Sequence, residues 1–166
     1  MMNEEKKPSN DQEALLLKAK SDALRLLSFR PRSVEELRRR LKLKKVSDPV
    51  VQEVIDSFKR QGLLDDAKFA KLYASSSVSM RPVGRRNLRQ DLKMKGISAP
   101  VIEDALKDLE DYDEKEAACK LVLGRFERMT GISTEKKKAR IYGFLKRRGF
   151  SDETIYGVFD KLLNKS

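Results

Sequence analysis

Residues 41–47 read Leu-Lys-Leu-Lys-Lys-Val-Ser, and the chain repeats this phrase twice in altered form. The second copy, Leu-Lys-Met-Lys-Gly-Ile-Ser, occupies residues 92–98, and the third, Leu-Lys-Arg-Arg-Gly-Phe-Ser, occupies residues 145–151. The copies follow one another at offsets of 51 and 53 residues. A period of this size is typical of an array of supersecondary units and not of a single mixed core.

Each copy of the phrase lies between two predicted helices. Ser33 and Glu36 have the spacing of a capping box, which predicts the start of the helix before the first copy. Ser47 or Asp48 starts the next helix, with Pro49 in its first turn. Apolar residues recur at intervals of three and four throughout, and there is no strand alternation.

The pattern therefore predicts an all-α fold of three tandem three-helix repeats that form an elongated, curved array. The predicted boundaries are residues 1–10 for a flexible tail, 11–62 for the first repeat, 63–112 for the second and 113–166 for the third. Gly96 and Gly149 stand just past the middle helices, as left-handed C-caps require. Lys45 has this place in the first repeat, and we expect that helix to end in a different way.

The composition narrows the class of function. With 37 basic and 26 acidic residues the net charge is +11, which favours a polyanion or an acidic partner surface. The alternative is a basic soluble protein without a special site. One cysteine and no histidine exclude an internal disulfide, a Cys/His zinc site and histidine acid–base chemistry. We expect Cys119 to be a packed thiol.

Further motifs are absent from the sequence. There is no phosphate-binding glycine loop, paired carboxylate or nucleophile motif, so we expect no enzyme activity, no cofactor and no metal. No apolar run reaches the length of a membrane span, and the N-terminus has no signal-peptide character. We expect a cytoplasmic monomer that does not bind membranes.

Basic residues concentrate on the three predicted middle helices. A cation in the last turn of a helix interacts favourably with the helix dipole and stabilises the helix by about 0.3–1 kcal/mol. This effect does not explain Arg85 and Arg86, which lie near a predicted helix start, where cations are unfavourable. We therefore predict that part of this stripe is a contact surface. The candidate residues are Arg38, Arg39, Lys42, Arg81, Arg85, Arg86, Arg89, Lys93, Lys137, Lys138, Arg140, Lys146 and Arg147.

Acidic residues concentrate between residues 103 and 116, where the second predicted repeat joins the third. One interpretation is a solvated face whose acids lie favourably at the start of the next helix. The other is a contact with a basic partner or between repeats. The sequence leaves both open.

Four phrases in order resemble the RecX family, bacterial regulators of the RecA recombinase. The phrases are Ala23–Arg30 with Ser33, Glu36, Leu37 and Leu41; Gly62–Ala70; Gly84, Leu88, Leu92 and Lys95–Ile97; and Phe144, Leu145, Arg148–Phe150 and Ile155. The resemblance covers nearly the whole chain, from about residue 23 to residue 163.

The resemblance implies a non-catalytic three-repeat protein in DNA repair, recombination and the SOS response. It implies binding in the groove of the RecA–DNA filament and inhibition of the recombinase, ATPase and coprotease activities of RecA. Single- and double-stranded DNA would be weak, nonspecific partners. On this hypothesis, replacing Arg85, Arg86 and Arg89 together by alanine weakens inhibition without unfolding the protein.

Two alternatives remain. Three-helix units also build helix-turn-helix DNA readers, so a stand-alone DNA-binding protein is possible, although no evident base-reading helix is present. A protein-only scaffold is the third reading. The sequence does not rank the basic residues or decide whether DNA or RecA contacts dominate. It also leaves open whether a filament would be capped or its groove blocked.

Overall fold

The computed structural model describes residues 10–163, which form nine α-helices and no strand. The predicted tail, residues 1–10, lies outside this range except for Asn10, which begins the first helix. The helices are α1 (Asn10–Phe29), α2 (Val34–Leu43), α3 (Asp48–Arg60), α4 (Asp66–Met80), α5 (Arg85–Met94), α6 (Ala99–Lys107), α7 (Glu114–Glu127), α8 (Thr134–Arg147) and α9 (Asp152–Leu163).

The described chain divides into two compact units, with the division after Phe69, inside α4. The first unit contains α1–α3, and the second contains α5–α9. The all-α repeat fold predicted from the sequence is confirmed. The elongated, curved shape of the array stays a prediction.

In the first unit, α1, α2 and α3 pack around a core drawn from the apolar stripes. Leu37, Leu41, Val54, Ile55 and Phe58 are all buried there, as the helical spacing predicts. Burial of these side chains is the main stabilising contribution, at about 1.5–3 kcal/mol for each fully buried side chain.

The start of α2 is fixed by the capping box. The hydroxyl of Ser33 accepts a hydrogen bond from the backbone N–H of Glu36 at 3.1 Å, and the carboxylate of Glu36 accepts one from the N–H of Ser33 at 3.3 Å. The carboxylate of Asp66, at the start of α4, accepts a further bond from the N–H of Val34 at 2.9 Å. Three amides at this helix start thereby gain partners.

The second unit buries apolar side chains in both of its repeats. Leu88, Leu92, Ile102 and Leu106 are buried on α5 and α6. In the third repeat, α7, α8 and α9 enclose a core whose buried members are Ala118, Cys119, Val122, Ile141, Leu145, Phe150, Ile155, Val158, Phe159 and Leu162. Cys119 is the packed thiol that the sequence predicts, and burial raises its pKa.

The repeated phrase is a helix stop that is built in the same way three times. In each copy the leucine is buried, and its carbonyl accepts the N–H five residues later: Val46 to Leu41, Ile97 to Leu92, and Phe150 to Leu145. The residue before that donor is left-handed, with φ of 61° at Lys45, 80° at Gly96 and 81° at Gly149. This is the Schellman motif, and the serine that follows starts the next helix.

The expectation that α2 ends differently from the other middle helices is therefore wrong. Lys45 adopts the left-handed conformation without being glycine, and its N–H donates to the carbonyl of Lys42 at 2.8 Å. The burial of Leu41 and the capping bonds hold the turn against the steric cost of a Cβ in that region.

Within the second unit, α5 begins directly against the end of α8. The N–H of Gly84 donates to the carbonyl of Arg148 at 2.9 Å, and a Cβ on Gly84 would lie 2.0 Å from the carbonyl oxygen of Gly149. The side-chain amide of Asn87 donates to the carbonyl of Arg147 at 2.9 Å. Only glycine allows the two backbones to come this close.

Candidate functional site

Twelve of the thirteen predicted basic residues lie on α2, α5 and α8, the middle helices of the three repeats, and Arg81 lies directly after the end of α4. We call them together the basic surface. Some of these cations form ion pairs within the chain and others do not, and only a cation of the second kind can bind a partner without first losing an internal pair.

On α2 all three candidates are bound. The guanidinium of Arg39 lies 2.9 Å from the carboxylate of Glu35, and that of Arg38 lies 3.6 Å from the same carboxylate. Arg38 also donates to the side-chain carbonyl of Gln52 at 3.0 Å. The ammonium of Lys42 lies 2.8 Å from the carboxylate of Asp48. The three candidates on α2 thus share two carboxylates, those of Glu35 and Asp48, which offset most of their charge.

Arg85, at the first position of α5, is mainly a structural residue. Its guanidinium donates to the carboxylate of Glu114 at 3.0 Å and to the carbonyl of Leu109 at 2.8 Å, and it lies over the ring of Tyr112. Its backbone N–H donates to the same carboxylate at 2.9 Å. The carboxylate of Glu114 offsets the unfavourable position of this cation at a helix start.

The other candidates of the second repeat differ in whether they form an ion pair. Arg89 makes a two-pronged pair with Glu103, at 2.7 and 3.0 Å, and this pair lowers the pKa of Glu103. The side chains of Arg81, Arg86 and Lys93 are exposed, and none of them has a hydrogen bond or ion pair with another residue in the range 10–163. These three are the available cations of the second repeat.

On α8 the candidates are again of two kinds. Lys146 lies 2.7 Å from the carboxylate of Asp152, and the hydrogen bond from Lys146 lowers the pKa of Asp152, with a smaller contribution from the hydroxyl of Tyr142. Lys137 lies over the ring of Phe126 at 5.1 Å from its centre. Lys138 lines a groove of about 320 Å³ beside Tyr142 and is half-buried. Arg140 and Arg147 are exposed.

The acidic stretch 103–116 is used largely inside the second unit. Asp104 and Asp108 both bind Lys71, at 3.2 and 3.1 Å. Asp113 caps α7 by accepting the N–H of Glu116 at 2.8 Å. Glu116 forms an ion pair with Lys161, which lowers the pKa of the carboxyl and raises that of the amine. Asp113 is thus a helix cap, Asp104 and Asp108 pair within the second repeat, and the pair of Glu114 with Arg85 joins the second repeat to the third. A contact of this stretch with a basic partner stays a hypothesis.

Three further residues have structural roles, and of these only Arg148 has a signal in the sequence. Asn87 joins α5 to the end of α8, and Tyr112 exchanges two hydrogen bonds with the backbone of Val83, at 3.1 and 2.9 Å. Burial raises the pKa of Tyr112. Arg148 donates to the carbonyl of Pro82 at 3.2 Å, and its place in the repeated phrase is a signal for it. The partners of all three lie far away in sequence.

The arrangement can hold anions by charge and hydrogen bonding. Among residues 10–163, no group of three or more acidic or cysteine side chains is placed to hold a metal ion. No helix in the same range is long and apolar enough to cross a membrane.

Fold and surface together define an all-α protein of tandem three-helix repeats with basic middle helices. Three family descriptions match in order: "RecX, first three-helix domain" at residues 19–58, "RecX, second three-helix domain" at 65–106, and "RecX, third three-helix domain" at 112–159. The chain belongs to the RecX family. The exact repeat boundaries proposed from the sequence stay a prediction.

Relatives and solved structures agree with this assignment. The chain is 33% identical to the regulatory protein RecX of Thermobifida fusca, over 87% of this chain and 78% of the relative. It is 32% identical to the regulatory protein RecX of Clostridioides difficile, over 97% of this chain and 75% of the relative. The crystal structure of RecX from Lactobacillus salivarius superposes with a TM-score of 0.81 at 24% identity, over 90% of this chain and 97% of that one, which shows the shared fold.

Proposed function

We propose that this protein is a non-catalytic regulator that binds the RecA–DNA filament and lowers the recombinase, ATPase and coprotease activities of RecA. The observation that carries the proposal is the set of exposed cations on the middle helices, in a chain whose relatives are named regulatory protein RecX. The filament is a long polyanion through its DNA, and exposed cations attract such a target.

The second unit supplies the strongest support from its own residues. Arg81, Arg86, Lys93, Arg140 and Arg147 are exposed, and no described residue neutralises them by an ion pair. An exposed cation that is not used for folding is available for a partner. Arg85, in contrast, serves the packing of the unit, and a variant that lacks it would lose stability as well as charge.

The test is co-sedimentation of the protein with RecA filaments assembled on single-stranded DNA. We expect wild-type protein to pellet with the filaments, and we expect the R86A/R147A double variant to pellet less, because both side chains are exposed and unpaired. The matched control is R60A/R128A, which removes two arginines that are likewise exposed and unpaired within residues 10–163 but lie outside the middle helices. Equal pelleting of both double variants would remove the basic surface from the mechanism.

A stand-alone DNA-binding protein would behave differently in the same experiment. When RecA is absent it would bind duplex DNA with a preference for a particular sequence, and RecA filaments would pellet no more of it than duplex DNA of that sequence does. That result would overturn the proposal.

A further inference from the structure

The middle and last helices of each repeat meet through side chains at equivalent positions, so the three repeats can be compared contact by contact. Lys42, Lys93 and Lys146 stand at the same place in the repeated phrase. Six positions after each of these lysines, the last helix of the repeat begins. Its first residue is Asp48 in the first repeat, Ala99 in the second and Asp152 in the third.

The comparison separates the second repeat from the other two. Lys42 binds Asp48 at 2.8 Å, and Lys146 binds Asp152 at 2.7 Å. Lys93 has no carboxylate at this position, because Ala99 replaces the aspartate, and its exposed ammonium makes no hydrogen bond or ion pair with residues 10–163. The lysine at this position is therefore neutralised in the first and third repeats and keeps its charge in the second.

Lys93 does not stand alone. It lines a groove of about 260 Å³ between α5 and α6, with Arg86, Arg89, Ala99, Ile102 and Glu103. Arg89 is neutralised there by Glu103, so Arg86 and Lys93 are the two cations of the groove that form no ion pair. The charge of Arg86 also helps to lower the pKa of Asp152, whose main partner is Lys146. Residues seven apart share one face of a helix and lie about 10.5 Å apart along its axis.

We propose that Lys93 and Arg86 form a phosphate-binding site of the second repeat for the backbone of single-stranded DNA, and that Ala99 keeps this site open. Two separated cations on one helix face suit a linear polyanion with regularly repeated charges better than a single carboxylate. The groove offers no exposed aromatic residue for base stacking, so the binding is independent of base sequence. The inference deepens the proposed function, because it assigns a DNA contact to the basic surface.

The structure provides its own test variant. Ala99→Asp restores the aspartate of the first and third repeats and should close the site by pairing with Lys93, without removing any cation. An aspartate in the first turn of α6 is favourable for the helix, so the fold should be retained. Ala99→Asn is the matched control, since it has nearly the same shape and no charge.

The measurement is fluorescence anisotropy of a labelled oligothymidylate titrated with each protein over a series of salt concentrations, without RecA. Loss of one phosphate contact should reduce the slope of log affinity against log salt by about 0.7 and the affinity by about fivefold at about 0.1 M salt. We expect A99D to show both changes and A99N to show neither. Lys93→Ala should match A99D, because both remove the same contact.

The outcomes separate this inference from the proposed function. Equal salt slopes for A99D and A99N, or no oligonucleotide binding by wild-type protein even at low salt, would overturn the phosphate site. If A99D keeps its DNA binding but loses co-sedimentation with RecA filaments, the site addresses an acidic protein surface. The inference would then be wrong while the proposed function stands.

Discussion

Lys45 shows how a single residue can depart from its repeat without changing the fold. It occupies the left-handed conformation that Gly96 and Gly149 occupy in the other two copies. A non-glycine residue there costs about 1–2 kcal/mol. The same capping bonds form in all three copies, which shows that packing of the phrase outweighs this local cost.

We expect Lys45→Gly to stabilise the protein by about 0.5–1 kcal/mol. Glycine relieves the left-handed strain, and only part of this gain is offset by its larger freedom in the unfolded chain. The change is measured by urea unfolding. Lys45→Ala is the control, because it removes the charge but keeps the Cβ, and it should leave the midpoint nearly unchanged. A lower midpoint for the glycine variant would contradict the strain argument.

Arg85 and Arg86 are neighbours with opposite roles. Replacing Arg85 by alanine removes its bonds to Glu114 and Leu109, and we expect a loss of about 2 kcal/mol of unfolding free energy. Replacing the exposed Arg86 should change stability by less than about 0.5 kcal/mol. Chemical denaturation of the two variants side by side tests this expectation. If the loss of unfolding free energy for Arg85→Ala is as small as that expected for Arg86→Ala, the contacts of Arg85 contribute little.

The helices and their starts are the features of this fold that the sequence predicts best. The predicted capping box and the predicted apolar periodicity are both present, because caps and helical periodicity depend on residues close in sequence. The pairing of the basic surface could not be predicted in the same way. Whether Lys93 or Lys146 is free depends on a residue of the next helix, and whether Arg85 is free depends on Glu114, 29 positions away.

Two glycines, one at the contact between α5 and α8 and one inside α7, should respond in opposite ways to replacement by alanine. A Cβ on Gly84 would overlap the carbonyl of Gly149, and we expect Gly84→Ala to cost about 3 kcal/mol. Gly124, inside α7, has no atom within 4 Å of its Cβ position, so Gly124→Ala should stabilise by about 1 kcal/mol. Thermal unfolding measures both. A destabilising G124A would mean that this glycine has a packing role after all.

At the scale of the whole molecule, ion pairs set the dependence of stability on pH. Pairing with a cation lowers the pKa of Asp22, Glu103, Glu116 and Asp152, with Lys44, Arg89, Lys161 and Lys146 as the respective main partners. A lowered carboxyl pKa contributes stability that is present above the unfolded pKa, about 4, and that is lost as the pH falls through the folded value.

We therefore expect the unfolding free energy to be nearly constant from about pH 6 to 7 and to fall below about pH 4. The plateau follows because the chain has no histidine. Urea midpoints measured across this range test the expectation, with Glu116→Gln as the control that should lose less stability in acid. A steep change near neutral pH would contradict it.

The proposal that this basic repeat protein regulates RecA through its filament is tested by the single-stranded-DNA-dependent ATPase of the cognate RecA, titrated with the wild-type protein. We expect loss of ATPase activity at protein concentrations well below that of RecA, because a regulator of filament assembly acts on many subunits at once. Unchanged ATPase activity up to equal concentrations, together with a mobility shift of DNA by this protein alone, would contradict it.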